Sequence, residues 1–206
     1  MPGAVETIGA LVVRARHYGV KRLVLLSGRG EEEAERCERV VQASGIAWTI
    51  VRCSWFNQNF SESFFGELLR SGTVALPAGE VREPFVDAED ITDVAVAALT
   101  DERHASQVYE LTGPELLTFA EVTEKVARAT GRDLRYEQLS HPDFLAGLRA
   151  AQLPEDVVGM CDYLFATVLD GRNASIADGV TRALGRPARR FDAYVAETAG
   201  AGSWDA

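Results

Sequence analysis

The stretch KRLVLLSGRGEEEAERCERVVQASGIAWTIVRCSWFNQNF, residues 21–60, decides the fold class of this chain. It begins with an apolar run, residues 21–27, whose Val and Leu content is typical of a strand buried on both faces. Residues 31–44 predict a helix that ends at Gly45, and residues 46–51 form a second β-rich run. Two buried strands joined by a helix predict a parallel crossover, so we expect an α/β protein.

The rest of the chain predicts one more strand of this kind and then a largely helical region. Residues 107–111 give the third strand, and residues 134–139 a short further one. Asp87 predicts a helix start, and Thr118 with Glu121 has the form of a capping box. The predicted helices are residues 3–18, 31–44, 61–70, 87–99, 118–131, 141–151, 154–170, 176–185 and 190–199.

These elements predict a partial doubly wound, Rossmann-like parallel sheet that lacks its N-terminal half, with a mostly helical C-terminal cap. We expect residues 1–115 to form the α/β core and residues 116–200 the cap, which contributes to the same globular unit and to substrate binding. Residues 201–206 are expected to be a frayed tail.

The composition limits the classes of partner. The 206 residues carry 21 Lys and Arg against 31 Asp and Glu, a formal net charge of −10, so we expect neither nucleic acid nor membrane as a partner. Cys37, Cys53 and Cys161 are scattered, which favours a reducing compartment and predicts neither a disulfide framework nor a metal site. With no signal-peptide pattern and no apolar run of about 18 residues, we expect a cytoplasmic protein.

Ligands of parallel α/β sheets bind beyond the carboxyl ends of the strands. Residues 27–30, 53–60 and 112–115 hold that position in the predicted fold. In residues 53–60 the aromatic rings could form an apolar wall and the amides could bind carbonyl or hydroxyl groups, but core packing and turn formation fit the pattern too. The predicted substrate-binding residues are Ser54, Trp55, Phe56, Asn57, Asn59, Phe60 and, in the long helix, Tyr163.

Ser27 and His141 are the candidate catalytic residues. Ser27 ends the first predicted strand, where its hydroxyl could bind a substrate carbonyl or cap the turn. His141 lies where the cap could meet the crevice, and could act as a general acid–base or only begin a helix. Cys53 as a nucleophile would need a lowered thiol pKa and a paired histidine, and the sequence places none of His17, His104 and His141 beside it.

The usual phosphate loop of dinucleotide-binding proteins has no counterpart in the sequence. No G-x-G-x-x-G or G-x-x-G-x-x-G pattern follows a predicted strand. The backbone of residues 27–30 stands at a helix start, which attracts anions, but Glu31, Glu32 and Glu33 follow and would repel a pyrophosphate. We therefore interpret residues 27–30 as a tight turn and predict no cofactor bound on this chain.

Several motifs together resemble the NmrA-like branch of the atypical short-chain dehydrogenases and reductases. They are VLLSGRGE (24–31), SGIAWTIVRCSWFNQNF (44–60), FVDAEDITDVA (85–95), YELTGPELLTFAEV (109–122), YLFATVLDGRN (163–173) and DGVTRALGRP (178–187). The resemblance implies membership of the NAD(P)-binding Rossmann superfamily, with NAD(P)H as the usual cofactor. Members of this family include quinone and enone reductases as well as redox-sensing regulators with little catalysis.

The chain departs from that family in three places. The N-terminal β-α-β unit with its glycine-rich loop is not found, and we expect roughly 80 residues, about half of a doubly wound domain, to be missing. The Tyr-x-x-x-Lys pair of standard short-chain dehydrogenases is absent, and Ala34 stands where many relatives carry Lys. Cys53 stands where many relatives carry Pro.

Without that first half, the strand at residues 21–27 would expose unpaired backbone groups and apolar faces. The edge could pair with the same edge of a second copy, with a rearranged helix 3–18, or with a separate chain that supplies the missing half. Of these partners we favour the homodimer, alongside a small-molecule ligand.

The leading functional hypothesis is an enzyme that has kept the substrate crevice but not the nicotinamide. It would be an isomerase, cyclase or lyase that positions a small, apolar, oxygenated metabolite. One alternative is an NAD(P)H-dependent quinone or enone oxidoreductase whose cofactor site is completed by a partner. Another is a non-catalytic redox-sensing or regulatory binding protein.

Overall fold

The computed structural model describes residues 3–205. In chain order the strands are β1 (Arg22–Gly28), β2 (Ala47–Cys53), β3 (Thr73–Leu76), β4 (Gln107–Leu111) and β5 (Arg135–Gln138). The helices are α1 (Ala4–His17), α2 (Glu32–Gln42), α3 (Asn59–Glu62), α4 (Phe64–Ser71), α5 (Ala88–Thr100), α6 (Phe119–Thr130), α7 (His141–Ala150), α8 (Glu155–Tyr163), α9 (Gly179–Leu184) and α10 (Phe191–Gly200). A 3₁₀ turn covers Glu102–His104, and a π-helical turn, Leu164–Val168, follows α8.

The chain folds into two compact units that interleave along the sequence. Unit 1 takes the chain up to Ser54, Val86–Thr112 and Ala177–Ala188. Unit 2 takes Trp55–Phe85, Gly113–Ile176 and the chain from Arg189 onward. This division differs from the sequential boundary that we predicted at residue 115, because each unit is assembled from several separated segments.

Unit 1 contains a parallel sheet with the strand order β1-β2-β4. β1 and β2 are joined through α2, and the pairs β1–β2 and β2–β4 both run parallel. The predicted α/β class with Rossmann-like parallel strands is therefore confirmed. On one face, Val12 of α1 and Val41 of α2 pack with Ile50 of β2, and burying these side chains holds the two helices against the sheet.

The outer edge of β1 has no partner strand among residues 3–205. The N–H of Arg29 donates to the carbonyl of Cys53 in β2. Since backbone direction alternates along a strand, the N–H groups of Leu23, Leu25 and Ser27 also face β2. Those of Val24, Leu26 and Gly28 face outward, and the side chain of Leu26 is 53% exposed.

Unit 2 is built around an aromatic core, with β3 and β5 forming a parallel pair. The sequence did not predict β3, which has four residues. The predicted helix 61–70 is divided at Ser63, whose extended backbone ends α3 and whose side chain caps α4 by accepting from the N–H of Phe65. The core side chains include Phe60, Phe65, Phe85, Phe119, Phe144, Phe165, Phe191, Tyr194 and Trp204.

The two predicted helix caps, at Asp87 and Thr118, are observed. Asp87 accepts from the N–H of Glu89 at 3.0 Å, and Thr118 and Glu121 form the full capping box. None of the helices between residues 3 and 205 is long and apolar enough to cross a membrane.

The segment after Gly200 differs from the frayed tail that we predicted. Trp204 is fully buried, its indole N–H donates to the carbonyl of Phe60 at 2.6 Å, and its ring meets Tyr194 edge-on. Arg132 also donates to the carbonyl of Trp204. Burial of one large side chain therefore anchors residues 201–205, whereas residue 206 lies outside the described part of the chain.

Replacement of Trp204 tests this anchor. Trp204→Ala leaves a cavity in unit 2 and an acceptor without its donor, so we expect the free energy of unfolding to fall by about 3–5 kcal/mol. Tyr18→Ala, at a position 72% exposed, should change it by less than about 0.5 kcal/mol. Urea denaturation followed by circular dichroism measures both, and equal stability of the two variants would contradict the anchor.

Candidate functional site

The register of the unit 1 sheet places three polar side chains side by side near the carboxyl ends of the strands. Ser27 of β1 pairs with Arg52 of β2, and Arg52 pairs with Glu110 of β4. Residues in register on parallel strands project from the same face of the sheet. The alternation of the strands therefore brings Ser27, Arg52 and Glu110 onto one face.

Glu38 of α2 joins these residues into a network. The guanidinium of Arg52 binds both carboxylate oxygens of Glu38, through Nε at 2.9 Å and Nη2 at 2.5 Å, and its Nη1 donates to Glu110 at 2.8 Å. The hydroxyl of Ser27 donates to Glu38 Oε1 at 2.6 Å. Arg29 lies 3.4 Å from the other oxygen of Glu110. The network is a two-point ion pair with Glu38 only 2% exposed.

The network holds both of its central groups in their charged forms. Burial raises the pKa of Glu38, but the hydrogen bonds from Arg52 and Ser27 outweigh burial and hold it below the ordinary value. The hydrogen bonds to Glu38 raise the pKa of Arg52 against the opposing effect of burial. Since the Ser27 hydroxyl proton is committed to Glu38, a catalytic role for Ser27 would have to use its lone pairs, and that role stays a prediction.

Ser54, directly after β2, has a buried hydroxyl without a protein partner. Its N–H donates to the carbonyl of Leu111 at 3.0 Å, which continues the sheet by one residue. The side chain is 4% exposed, and its oxygen makes no hydrogen bond to any residue between 3 and 205. A buried hydroxyl in this state is costly unless a ligand or a water completes it. Ser54 therefore stands at the ligand end of the sheet with a donor to offer.

Cys53 does not have the character of a nucleophile. Burial raises the pKa of its thiol to about 12. The thiol therefore remains protonated at neutral pH, and the thiolate that covalent catalysis needs is not formed.

The turn after β1 does not fit the phosphates of a dinucleotide. A Cβ atom at Gly28 would lie 2.0 Å from Glu31 Oε1, because that carboxyl group rests against the turn. The first turn of α2 carries Glu32, Glu33 and Glu35. These carboxylates occupy the position where a pyrophosphate would need positive potential, so residues 27–33 form no phosphate cradle.

The aromatic residues predicted to line a pocket belong to unit 2. Trp55 is partly buried and packs against Phe65, Phe119 and Phe165, with ring centroids about 6 Å apart. Phe60 is 2% exposed at the centre of the aromatic core. This places Phe60 in the core, the alternative that its sequence pattern left open, while Trp55 keeps a partly accessible face.

The other predicted residues of this loop lie on both sides of the start of α3. Phe56 is partly buried, and the carbonyl of Asn57, a fully buried residue, accepts from the N–H of Phe60. Asn59 begins α3, and its carbonyl accepts from the hydroxyl of Ser63 at 2.6 Å. These contacts shape the turn, and the predicted ligand contacts of Phe56, Asn57 and Asn59 stay predictions.

His141 and Tyr163 lie among the helices of unit 2. His141 is the first residue of α7, and its Nε2 lies 2.7 Å from a carboxylate oxygen of Asp162 in α8. Tyr163 ends α8 with its side chain 39% exposed. A carboxylate partner orients an imidazole ring, as general acid–base chemistry requires, but the roles of both residues stay predictions.

Sequence reasoning missed the network formed by Glu38, Arg52 and Glu110. Glu38 lies in a helix that reads as a solvated run of charges, with only Cys37 and Val41 marking its buried face. Arg52 at the end of a β-rich run was the available signal, because a buried strand rarely carries a cation without a carboxylate partner.

The comparisons with known proteins place the chain in a family. The NmrA-like family matches residues 33–175. The chain belongs to the NmrA-like family. It is 32% identical over 201 residues to an NAD(P)H azoreductase from Xenophilus azovorans, covering 93% of this chain and 70% of that protein. It is 34% identical to (4-alkanoyl-5-oxo-2,5-dihydrofuran-3-yl)methyl phosphate reductase from Streptomyces griseus, covering 88% of this chain and 67% of that reductase.

Solved structures share the fold. An NADPH-dependent quinone oxidoreductase from Escherichia coli, crystallised with NADPH, superposes with a TM-score of 0.83 at 20% identity, over 96% of this chain and 72% of that protein. NmrA, a negative transcriptional regulator in complex with NAD, gives a TM-score of 0.66 at 16% identity, over 98% and 72%. The chain thus shares its family and fold with proteins that include named reductases and a regulator, and it spans about two thirds of the length of the curated relatives named above.

The charge network predicts a specific pH dependence of stability. Because the pKa of Glu38 is held below its ordinary value of 4.5, ionised Glu38 stabilises the fold above that pH, and the gain is lost as the pH falls through the lowered value. Glu38→Gln should cost about 3 kcal/mol at neutral pH, since it breaks a buried pair, and the difference from wild type should shrink below pH 4.5.

Glu110→Gln is the matched control, because its carboxylate binds the same guanidinium but is 37% exposed. We expect it to cost less than about 1 kcal/mol. Urea denaturation across the acidic range measures both variants. A cost for Glu38→Gln that is independent of pH would contradict the network as described.

Proposed function

We propose that this chain is a reductase that passes hydride from a reduced nicotinamide to a small, flat, conjugated acceptor. The proposal is supported by the family and by relatives that are named as azoreductase, quinone oxidoreductase and dehydrogenase. It corresponds to the oxidoreductase alternative of the sequence analysis. The isomerase, cyclase or lyase hypothesis and the regulatory hypothesis stay predictions.

The observation that carries the proposal is the unpartnered hydroxyl of Ser54. It lies at the carboxyl end of β2, where α/β sheets bind their ligands, and it is buried without a protein acceptor. A carbonyl oxygen on the acceptor or on the carboxamide of a nicotinamide would satisfy it. Arg52 and Glu38 are already hydrogen-bonded to each other. They are positioning residues that fix the carboxyl end of β2.

The phosphates of the dinucleotide do not fit residues 27–33, so we assign them to another polypeptide segment. We propose that this segment adds a strand to the outer edge of β1. The edge offers the outward N–H groups and a groove of about 260 Å³ between α1 and α2, lined in part by Leu25, Leu26 and Gly28. Main-chain pairing along such an edge is an established way to join two segments.

Within unit 2, Trp55 offers a surface whose shape suits a flat conjugated molecule. Its partly accessible indole is held rigidly by three neighbouring rings, and such a surface suits a flat conjugated molecule. Azo compounds and quinones, the acceptor classes in the names of two relatives, have this shape.

The test uses two hydride donors, because only one of them needs a dinucleotide phosphate site. The purified protein is mixed with the azo dye methyl red and either NADPH or reduced nicotinamide mononucleotide, and loss of dye colour is followed. With either donor, we expect the protein to accelerate dye reduction over the uncatalysed rate. The rate should saturate as the dye concentration rises. Acceleration by NADPH alone would contradict the assignment of the phosphates, and acceleration by neither would overturn the reductase proposal.

Two serine variants separate ligand binding from stability. Ser54→Ala removes a hydroxyl that bonds no protein group, so kcat/KM should fall by about fivefold to tenfold with little change in unfolding. Ser44→Ala is the matched control, since this buried serine accepts from the N–H of Ile46 at the opposite end of β2. It should lower stability and leave kcat/KM unchanged, and the reverse pattern would contradict the role of Ser54.

One observation favours a second candidate, a cofactor-free enzyme that forms a homodimer through β1. Lys21 and Arg22 lie at one end of β1, and Glu31, Glu32 and Glu33 follow the other end. Antiparallel pairing of two copies about a two-fold axis would set each basic end against the partner's acidic end. Sedimentation as a dimer, together with inactivity toward both donors, would favour this candidate.

A further inference from the structure

The amino end of β4 carries a cavity that the reductase proposal does not use. Its volume is about 360 Å³, and it is lined by Arg103 and His104 of the 3₁₀ turn, Gln107 and Tyr109 of β4, and Arg182 of α9. All five residues belong to unit 1. The cavity lies at the opposite end of the parallel strands from Ser54, away from the edge where the acceptor is proposed to bind.

The hydrogen bonds around His104 fix the position of a proton. Arg103 Nε–H donates to His104 Nε2 at 3.2 Å, so that nitrogen carries the lone pair. Burial, with the charge of Arg103 as a second cause, lowers the pKa of His104 and keeps the ring neutral. The single ring proton is therefore on Nδ1, where it is donated to the hydroxyl oxygen of Tyr109 at 2.8 Å.

Tyr109 is left with a hydroxyl proton to donate. Its side chain is 4% exposed, and the hydroxyl has no acceptor among residues 3–205. Burial raises the pKa of the phenol, so the proton stays in place at neutral pH. A buried donor that faces a cavity and lacks an acceptor indicates a missing ligand atom with a lone pair.

The charges at the cavity are not balanced. Arg103 is paired with Asp101 at 3.1 Å. Arg182 has no carboxylate partner in the described part of the chain; it lies over the ring of Tyr109 and reaches only the carbonyl of Val108 and the amide oxygen of Gln107, at 3.4 and 3.3 Å. One positive charge therefore remains, with N–H groups to spare.

We propose that this cavity binds a small oxyanion, either a phosphate group or a carboxylate. The hydroxyl of Tyr109 and the free N–H groups of Arg182 and Arg103 are the donors, and the uncompensated charge of Arg182 supplies the attraction. Arg182 is oriented by stacking on Tyr109 before the anion arrives, which lowers the ordering cost of binding. Because the whole chain has a net charge of −10, its surface as a whole does not attract anions. Anion binding is therefore expected at this local positive site and not over a general basic surface.

The test is an NMR and calorimetric titration of the whole chain with inorganic phosphate and, separately, acetate, at constant ionic strength. We expect saturable binding of one anion, with the largest shifts at the Tyr109 ring and the Arg182 Nε–H. Tighter binding of phosphate would identify a phosphate group as the ligand, and tighter binding of acetate a carboxylate. Linear, non-saturating shifts with both anions would overturn the proposal.

Two substitutions at the cavity and one control locate the binding. Arg182→Gln should weaken the affinity about tenfold or more, because charge-assisted hydrogen bonds are lost. Arg14→Gln removes the same charge from the exposed side of α1 and should change the affinity less than about twofold. Equal weakening in both would show diffuse attraction only and would overturn the proposal.

Tyr109→Phe keeps the ring under Arg182 and removes only the donor. It should weaken binding by about threefold to tenfold. This variant decides the question if Arg182→Gln proves unstable, because unchanged affinity in folded Tyr109→Phe would contradict the assigned donor.

Discussion

The rest of unit 1 depends on one constraint, that an interior strand of a parallel sheet must satisfy both of its edges. β1 has the apolar composition of an interior strand, and β2 satisfies only one edge. The N–H groups of Val24, Leu26 and Gly28 face the other way, beside a half-exposed Leu26. An edge in that state attracts another strand. Under the reductase proposal, the strand that pairs with this edge supplies the phosphate site.

At the carboxyl ends of the strands in unit 1, the charged side chains of the described residues bind one another and leave no site that suits a phosphate group. Arg52, which is in register with Ser27, is bound by Glu38 and Glu110, and the carboxyl group of Glu31 rests against the turn that follows β1. Among residues 3–205, Ser54 has a buried hydroxyl there without a protein partner, and our proposal pairs it with a carbonyl oxygen. This is the physical reason that our proposal places the hydride acceptor and the nucleotide phosphates on different segments.

The sequence predicted the features that depend on interactions between residues close together in the chain. The strands β1, β2, β4 and β5, the caps at Asp87 and Thr118, and the α/β class all follow from periodicity and capping chemistry. It did not predict β3, the break at Ser63 or the buried Trp204, which depend on packing between segments distant in sequence. The Glu38–Arg52 network was missed for the same reason, since register across strands creates it. The sequence placed Trp55, Asn57 and Phe60 in one loop, whereas Phe60 lies in α3, and only packing assigned it to the core.

Hydrogen exchange of individual β1 amides, read by NMR on the purified chain, distinguishes an open outer edge of β1 from a covered one. We expect slow exchange for Leu23, Leu25 and Ser27, which face β2, and fast exchange for Val24, Leu26 and Gly28, which face the unpaired edge. Slow exchange at all six amides would contradict an open edge. If that protection rose with protein concentration, a second copy of the chain would be the strand that covers β1.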